Sequence, residues 1–298
     1  MDHHHLVSGV VALVRSTPGW PTILGDPPLR FDIEAIDRRV PLPGGGFRRP
    51  DVIVTSRALN HSLVLECKTG GVDTDQLKDM LLLRDHDWVA SYVVGPAHPG
   101  QHLVDVVVVC TEDNLDQVVH EIDAASLPVP VLCFYRDRVS LVQGRETRKR
   151  ETNRVLTSGA PARLEHMPAN WMPFTDDSPR SEIAWSISQA MLALWKRKRR
   201  VFNESQVGTE AHPLWTEFPP DRKRHFCQII RDLIDDGISH ELAGLIRVVE
   251  RSKSVQVWEM SPPGTGPAAE TLRTRKWQSA LTSWVERVRR GSQARMPL

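Results

Sequence analysis

Three features of the sequence predict an α/β protein built on a mixed sheet with helices on both faces. The runs "DVIVT" (51–55), "SLVLECK" (62–68) and "LVDVVVVC" (103–110) have the length and β-branched content of buried strands. Helical periodicity fills the intervals at 4–16, 73–85 and 112–123, and glycine- and proline-rich turns separate the segments. At 298 residues, with 40% hydrophobic and 25% charged residues, the chain has the make-up of a globular protein of two ordinary domains.

In order, 4–16 closes into a helix with Leu6, Val10, Leu13 and Val14 on one side, ended by Pro18-Gly19. "RFDIEAID" (30–37) alternates as a strand with Phe31, Ile33 and Ala35 on one face, and "PLPGGGFRRP" (41–50) turns it into 51–55 as a β-hairpin. A third strand at 62–68, a helix at 73–85 and the continuous apolar strand 103–110 come next. "EDNLDQVVHEID" is a further helix, "VPVLCFY" a strand and "RVSLVQ" an edge strand. The first domain spans 1–145. Residues 146–177 lack sustained periodicity and predict a linker or embellishing arm.

A mainly helical domain is expected over 178–298. "SEIAWSISQAMLALWKRKRR" (181–200) and "RKRHFCQIIRDLIDD" (222–236) are helical stripes, and Gly237 stands where a C-cap belongs. "SHELAGLIRVVE" predicts a third helix, "SVQVWEM" a strand, and 271–290 a last amphipathic helix. Helices joined by short turns and followed by a strand are similar to a winged-helix module.

No apolar stretch reaches about 18 residues, so no membrane partner is expected. The N-terminus, acidic at Asp2 and charged again at Arg15, is unlike a signal peptide, which predicts a cytoplasmic protein. Cys67, Cys110, Cys133 and Cys227 form no CxxC pair, and His3, His4 and His5 have the character of a frayed chain end. Charge is unevenly spread: residues 1–144 carry 12 Lys and Arg against 19 Asp and Glu, and the remainder carries 26 against 18. A basic second half predicts a polyanionic partner, with Lys196, Arg197, Lys198, Arg199 and Arg200, and the run 145–154, as phosphate contacts. Most of the tryptophans near these charges are expected in cores.

The strands carry charges where apolar residues would suffice. Glu66 and Lys68, two residues apart, project from one face, and Asp51 opens the neighbouring strand. Pro50-Asp51 followed by Glu66-Cys67-Lys68, within an αβββαβ order, resembles the PD-(D/E)xK nuclease superfamily over roughly residues 1–140. The resemblance implies a restriction-endonuclease-like core and a Mg²⁺-dependent endonuclease acting on DNA, with RNA as a possible substrate and Mn²⁺ able to substitute. It makes Asp51, Glu66 and the Cys67 backbone carbonyl the metal ligands, with Lys68 orienting the attacking water or stabilising the phosphate. It implies roles in defence, repair or mobile-element processing, alone, as a homodimer or beside a partner such as an ATPase. The alternatives are a nuclease subunit inactive without its partners, as in heteromeric transposases, and a catalytically idle nucleic-acid-binding scaffold.

Gln76 lies where many members place a site glutamine, although Met80 replaces the aromatic that often follows. Asp73 and Gln76 also have capping-box spacing, which accounts for both residues locally. Residues 3–16 lack the acidic residue that some members contribute from the first helix. Glu34, placed opposite Asp51 across the hairpin, is either its substitute as a metal ligand or an ordinary polar-face residue. Arg48 and Arg49, just before Asp51, are candidates for contact with nucleic acid.

Overall fold

The predicted hairpin, third strand and flanking helices are all present. The computed structural model describes residues 2–42, 45–85, 102–168, 171–174, 178–252, 255–260 and 267–293. Helix α1 (His3–Val14) is capped by Asp2, whose side chain accepts from the His5 N–H. Then come β1 (Asp32–Ile36), β2 (Val40–Pro41), β3 (Phe47–Arg48), β4 (Val52–Ser56), β5 (His61–Lys68), α2 (Thr74–Leu81), β6 (Leu103–Thr111), α3 (Leu115–Ala124), β7 (Val131–Phe134), β8 (Arg138–Leu141), α4 (Arg150–Ser158) and β9 (Ala160–Pro161). A 3₁₀ turn, Leu82–Asp85, continues α2.

Seven of these strands form one mixed sheet in the order β1-β4-β5-β6-β7-β8-β9. The β5–β6 and β6–β7 pairs are parallel and the others antiparallel. The glycine-rich turn carries a small ribbon of its own, β2 against β3, with Gly45 and Gly46 at φ +93° and +80°. Residues 43 and 44 of that turn lie outside the described residues. One face of the sheet is covered by α2 and α3, whose Leu77, Met80, Val118 and Ile122 bury Ile53, Val64, Val106, Val108 and Cys110. Helix α1 packs against β1, β4 and β5, and its Leu6, Val10 and Leu13 are fully buried.

Residues 146–177 contain more regular structure than a linker. Thr152 of α4 meets His61 Nδ1 at 2.9 Å, and His61 Nε2 lies 3.0 Å from Asp105 Oδ2. Asp105 also accepts from the N–H and Nε–H of Arg148, both at 2.9 Å. Burial raises the Asp105 carboxyl, but the hydrogen bonds from His61 and Arg148 outweigh it and hold it below the usual range. Arg148 of the expected phosphate-binding run is therefore turned inward, and Arg145 is paired with Asp123. β9 then adds to the far side of β8, so β8 is not the sheet edge. Further on, Met167 sits over Gly9 and the Trp171 N–H donates to Ser8 Oγ at 3.2 Å. This explains why every residue of α1 from Leu6 to Val14 is buried rather than one stripe: the arm covers the side that α1 turns away from the sheet.

By contact density the chain divides into two units, Met1–Trp171 with Glu217–Pro219, and Met172–Thr216 with Pro220–Leu298. The second contains α5 (Arg180–Lys196), β10 (Val201–Asn203), α6 (Glu204–Ala211), α7 (Pro220–Ile238), β11 (Ile246–Arg251), β12 (Gln256–Met260) and α8 (Pro267–Gln293). Its three strands form an antiparallel sheet in the order β10-β12-β11. Trp195, Trp215, Trp258, Trp277 and Trp284 are buried, and Trp185 is exposed. Two expectations fail here. Gly237 is not a C-cap; α7 runs through it to Ile238, and a Cβ there would meet Leu242 at 2.7 Å. "SHELAGLIRVVE" is not a helix: hydrogen bonds from His240 and Leu242 to the Gly237 carbonyl close α7, Gly244 turns at φ +70°, and the β-branched tail pairs with β12.

Gly208 on α6 admits the Trp215 ring to within 2.4 Å of where a Cβ would lie, a distance no side chain tolerates. Gly208→Val is expected to destabilise the protein by roughly 1–3 kcal/mol through overpacking, read as a lower midpoint in urea.

Candidate active site

The site arises where β4 and β5 stop pairing. Their register ends at Val52 opposite Leu65, so Glu66, Cys67 and Lys68 are paired only on their other side, to Val108, Val109 and Cys110 of β6. The side chain of Asp51, one residue before β4, fills the opening and accepts the Cys67 N–H at Oδ2, 2.7 Å away. A backbone donor that the ladder leaves unpaired is thereby satisfied by a carboxylate.

Glu66 is 4% exposed. Its Oε1 accepts from Lys68 Nζ at 2.9 Å and from Gln76 Nε2 at 2.8 Å, and Lys68 also donates to Gln76 Oε1 at 3.2 Å. Gln76 reaches this cluster because Asp73 caps α2, accepting the N–H groups of Asp75 and Gln76 at 3.0 Å. Local capping and site contact therefore coexist: the backbone of Gln76 serves the cap and its side chain serves Glu66 and Lys68. Burial, and then the neighbouring Asp51, push the Glu66 carboxyl up to about 7 against the opposing pull of Lys68 and Gln76. Its second oxygen, Oε2, is buried without a hydrogen-bond partner.

Glu34 is not part of this cluster. The strand register sets Ile36 against Val52 and leaves Glu34 at a bulge between the Ile33 and Ala35 pairings, where it meets Arg57 at 3.0 Å. It is Asp37 that lies beside Asp51, donating its N–H to the Asp51 carbonyl at 3.0 Å. His3, read from sequence as a frayed end, is instead in the first turn of α1, and its Nε2 lies 3.0 Å from Asp51 Oδ1. The signal available in the sequence was Asp2 as a helix cap, which places the histidines inside the helix. The hydrogen bond to Asp51 raises the His3 pKa against the effect of burial, with Asp51 and Glu66 adding to the rise. Because the folded state holds this proton more tightly, the contribution of His3 is present below about pH 6.5 and lost as pH rises through the folded pKa. His3→Ala is therefore expected to lower Tm more at pH 6 than at pH 8.5, as read by thermal melts at the two values.

The neighbouring arginines are engaged within the protein. Arg48 pairs with Asp79 of α2, and Arg49 with Asp37 at 3.4 Å. The run at 196–200 belongs to the second unit. There Lys196 ends α5, Arg197 pairs with Glu210, Lys198 turns at φ +60°, Arg199 donates its N–H to the Leu194 carbonyl, and Arg200 lies 3.3 Å over the Trp195 ring.

Among the described residues, no three His, Cys, Asp or Glu side chains form a ready-made metal cage. A divalent cation at this site would rest on two carboxylates and a backbone carbonyl. The chemistry fits: the lone Oε2 of Glu66 and its crowding by Asp51 are conditions that a hard cation relieves.

A family model, the MJECL32 domain, matches residues 2–129. That span runs from α1 to just before β7 and contains His3, Asp51, Glu66, Lys68 and Gln76. No curated protein and no solved structure matches the chain. No helix among the described residues is long and apolar enough to cross a membrane.

Proposed function

We propose that this protein is a Mg²⁺-dependent nuclease of the PD-(D/E)xK type, acting on DNA. The observation that carries the reading is the joining of Asp51, Glu66, Lys68 and Gln76 into one hydrogen-bonded cluster, with a carboxylate oxygen left over, where two strands separate. A structural ion pair alone accounts for Lys68 and Glu66, but it gives no reason to set a second, half-buried carboxylate beside them.

Asp51, Glu66 and the Cys67 carbonyl are the groups to hold Mg²⁺ or Mn²⁺, which when bound supplies neutralisation of the charge that develops on the scissile phosphate. Lys68 extends from the same face as Glu66 and is placed to orient the attacking water and to offset phosphate charge. Gln76 is a positioning residue: it holds Glu66 Oε1 and shares Lys68, limiting the rotamers of both. His3 steadies Asp51 from α1.

The order α5–β10–α6–α7–β11–β12, with its β10-β12-β11 sheet, supports a winged-helix-like module in the second unit. Its basic loop at 196–200 supports a nucleic-acid partner. The deciding assay incubates the full chain with duplex, nicked, branched and single-stranded DNA, and with RNA, in Mg²⁺ or EDTA. Cleavage dependent on Mg²⁺ supports the reading, and Mg²⁺-dependent cleavage undiminished in Lys68→Ala sinks the mechanism.

A further inference from the structure

Near the end of the sheet where β5, β6 and β7 finish lies a cavity of about 580 Å³ bordered by His5, Asp113, Arg136, Leu164, Glu165 and Met167. Its place follows from the register. Lys68 at the end of β5 pairs with Cys110 on β6, and Asp113 comes three residues later. On the next strand Cys110 pairs with Cys133, and Arg136 again comes three residues later. With strands about 4.8 Å apart, β6 and β7 lie one and two spacings from β5, and Asp113 and Arg136 follow them at the same end of the sheet at which Lys68 ends β5. His5 belongs to the same first turn of α1 as His3.

The floor is built rather than incidental. The Leu164 N–H donates to the Arg136 carbonyl at 3.0 Å and the Ala162 N–H to Asp137 at 2.9 Å, extending the β8–β9 pairing. Met167 is seated on α1 because Gly9 leaves its sulfur room: a Cβ there would be 2.5 Å away. The result is an apolar floor of Leu164 and Met167 rimmed by both donors and acceptors. His5 is steered by Asp2, 3.0 Å from its Nδ1, and Arg136 is 85% exposed, within 3.9 Å of Glu112. Two carboxylates, Asp113 and Glu165, make this a poor place for a phosphate. They suit the edge of a nucleobase, whose exocyclic amines donate and whose ring carbonyls accept, while its flat face lies on the apolar floor.

We propose that this cavity receives one unpaired base next to the scissile phosphate, so that the enzyme favours strands with an unpaired nucleotide there. The inference rests on the nuclease reading above and gives it a substrate class. Extracting a base from a duplex costs stacking and pairing energy that a mismatch, flap or single strand has already lost. Bases carrying an exocyclic amine should be preferred over thymine.

The test uses the full chain and 2-aminopurine placed, one position at a time, on either side of the scissile phosphate in mismatched duplexes. With Lys68→Ala protein and Mg²⁺, fluorescence should change at one position on binding. That change should be lost when Arg136→Ala and Glu165→Gln are added. Neither residue belongs to the proposed catalytic cluster, and both are exposed. Wild-type protein should cut the mismatched duplex about tenfold faster than the perfect one, and the double variant should lose that advantage. The same ratio in both proteins, or no 2-aminopurine response at any position while wild type still cleaves, overturns the inference and leaves the nuclease reading standing. Failure of wild type to cleave any nucleic acid overturns both.

Discussion

Lys68→Ala protein should cleave about 100- to 1,000-fold more slowly than wild type under single-turnover conditions in Mg²⁺. Its circular dichroism and most of its affinity for nucleic acid should be retained. Lys68 sits at the end of β5, where it is partly buried and bonded to Glu66 and Gln76, so its loss removes a charge without opening a core. Asp51→Ala and Glu66→Ala should abolish cleavage, for a different reason: under the proposed function each takes away an oxygen donor to the cation. The two effects separate in a metal titration by calorimetry. Binding of Mn²⁺ should weaken strongly in the two acidic variants and persist in Lys68→Ala. Equal Mn²⁺ affinity in all three would remove Asp51 and Glu66 from the role of ligands.

In the metal-free protein Glu66 should contribute a loss of stability as pH rises from about 4.5 to about 7, opposed over part of that range by the buried His61, whose pKa burial lowers. The Glu66 carboxyl is held at about 7 in the fold, chiefly by burial and next by Asp51, against an ordinary value of 4.5. The native state therefore binds this proton more tightly than the unfolded chain does. The stabilising contribution is complete below the unfolded pKa and fades as pH climbs through the folded one. Its size is on the order of 3 kcal/mol. Glu66→Gln, which cannot ionise, should flatten that part of the profile and be more stable than wild type in EDTA at pH 8. Mg²⁺ should return stability to wild type at pH 8 and do little for Glu66→Gln. A constant difference between the two proteins from pH 5 to pH 8 in EDTA would show that Glu66 does not carry the strain.

Glu34 and His3 show why the site was only partly legible. The metal-ligand reading of Glu34 assumed that it faces Asp51; the register sets Ile36 against Val52 and leaves Glu34 between the partners of Val54 and Ile53, paired with the exposed Arg57 as an ordinary polar-face residue, and no residue in "RFDIEAID" announces that register. His3 lies 48 positions from Asp51, and their meeting depends on how α1 packs across β4 and β5. For Gln76 the cap accounts for the backbone N–H alone, which Asp73 accepts; the side chain, which a capping box would return to Asp73, goes to Glu66 and Lys68 instead. Of the two readings for 146–177, linker and embellishing arm, sequence could not choose, because most of what orders the segment is non-local: Thr152 to His61, Arg148 to Asp105, Met167 to Gly9.

What the sequence determined by itself was the strands and helices among the described residues of 1–145, the α/β class and the spacing of Asp51, Glu66 and Lys68. Those follow from periodicities of two and 3.6, which are local properties of the backbone. Only the tertiary structure decided that β4 and β5 separate just before Glu66, that Asp51 fills the gap, that His3 joins it and that Glu34 does not. Register, bulges and helix docking are set by burial across the whole unit, where a shift of one residue exchanges one face of a strand for the other. No window of neighbouring residues contains that information.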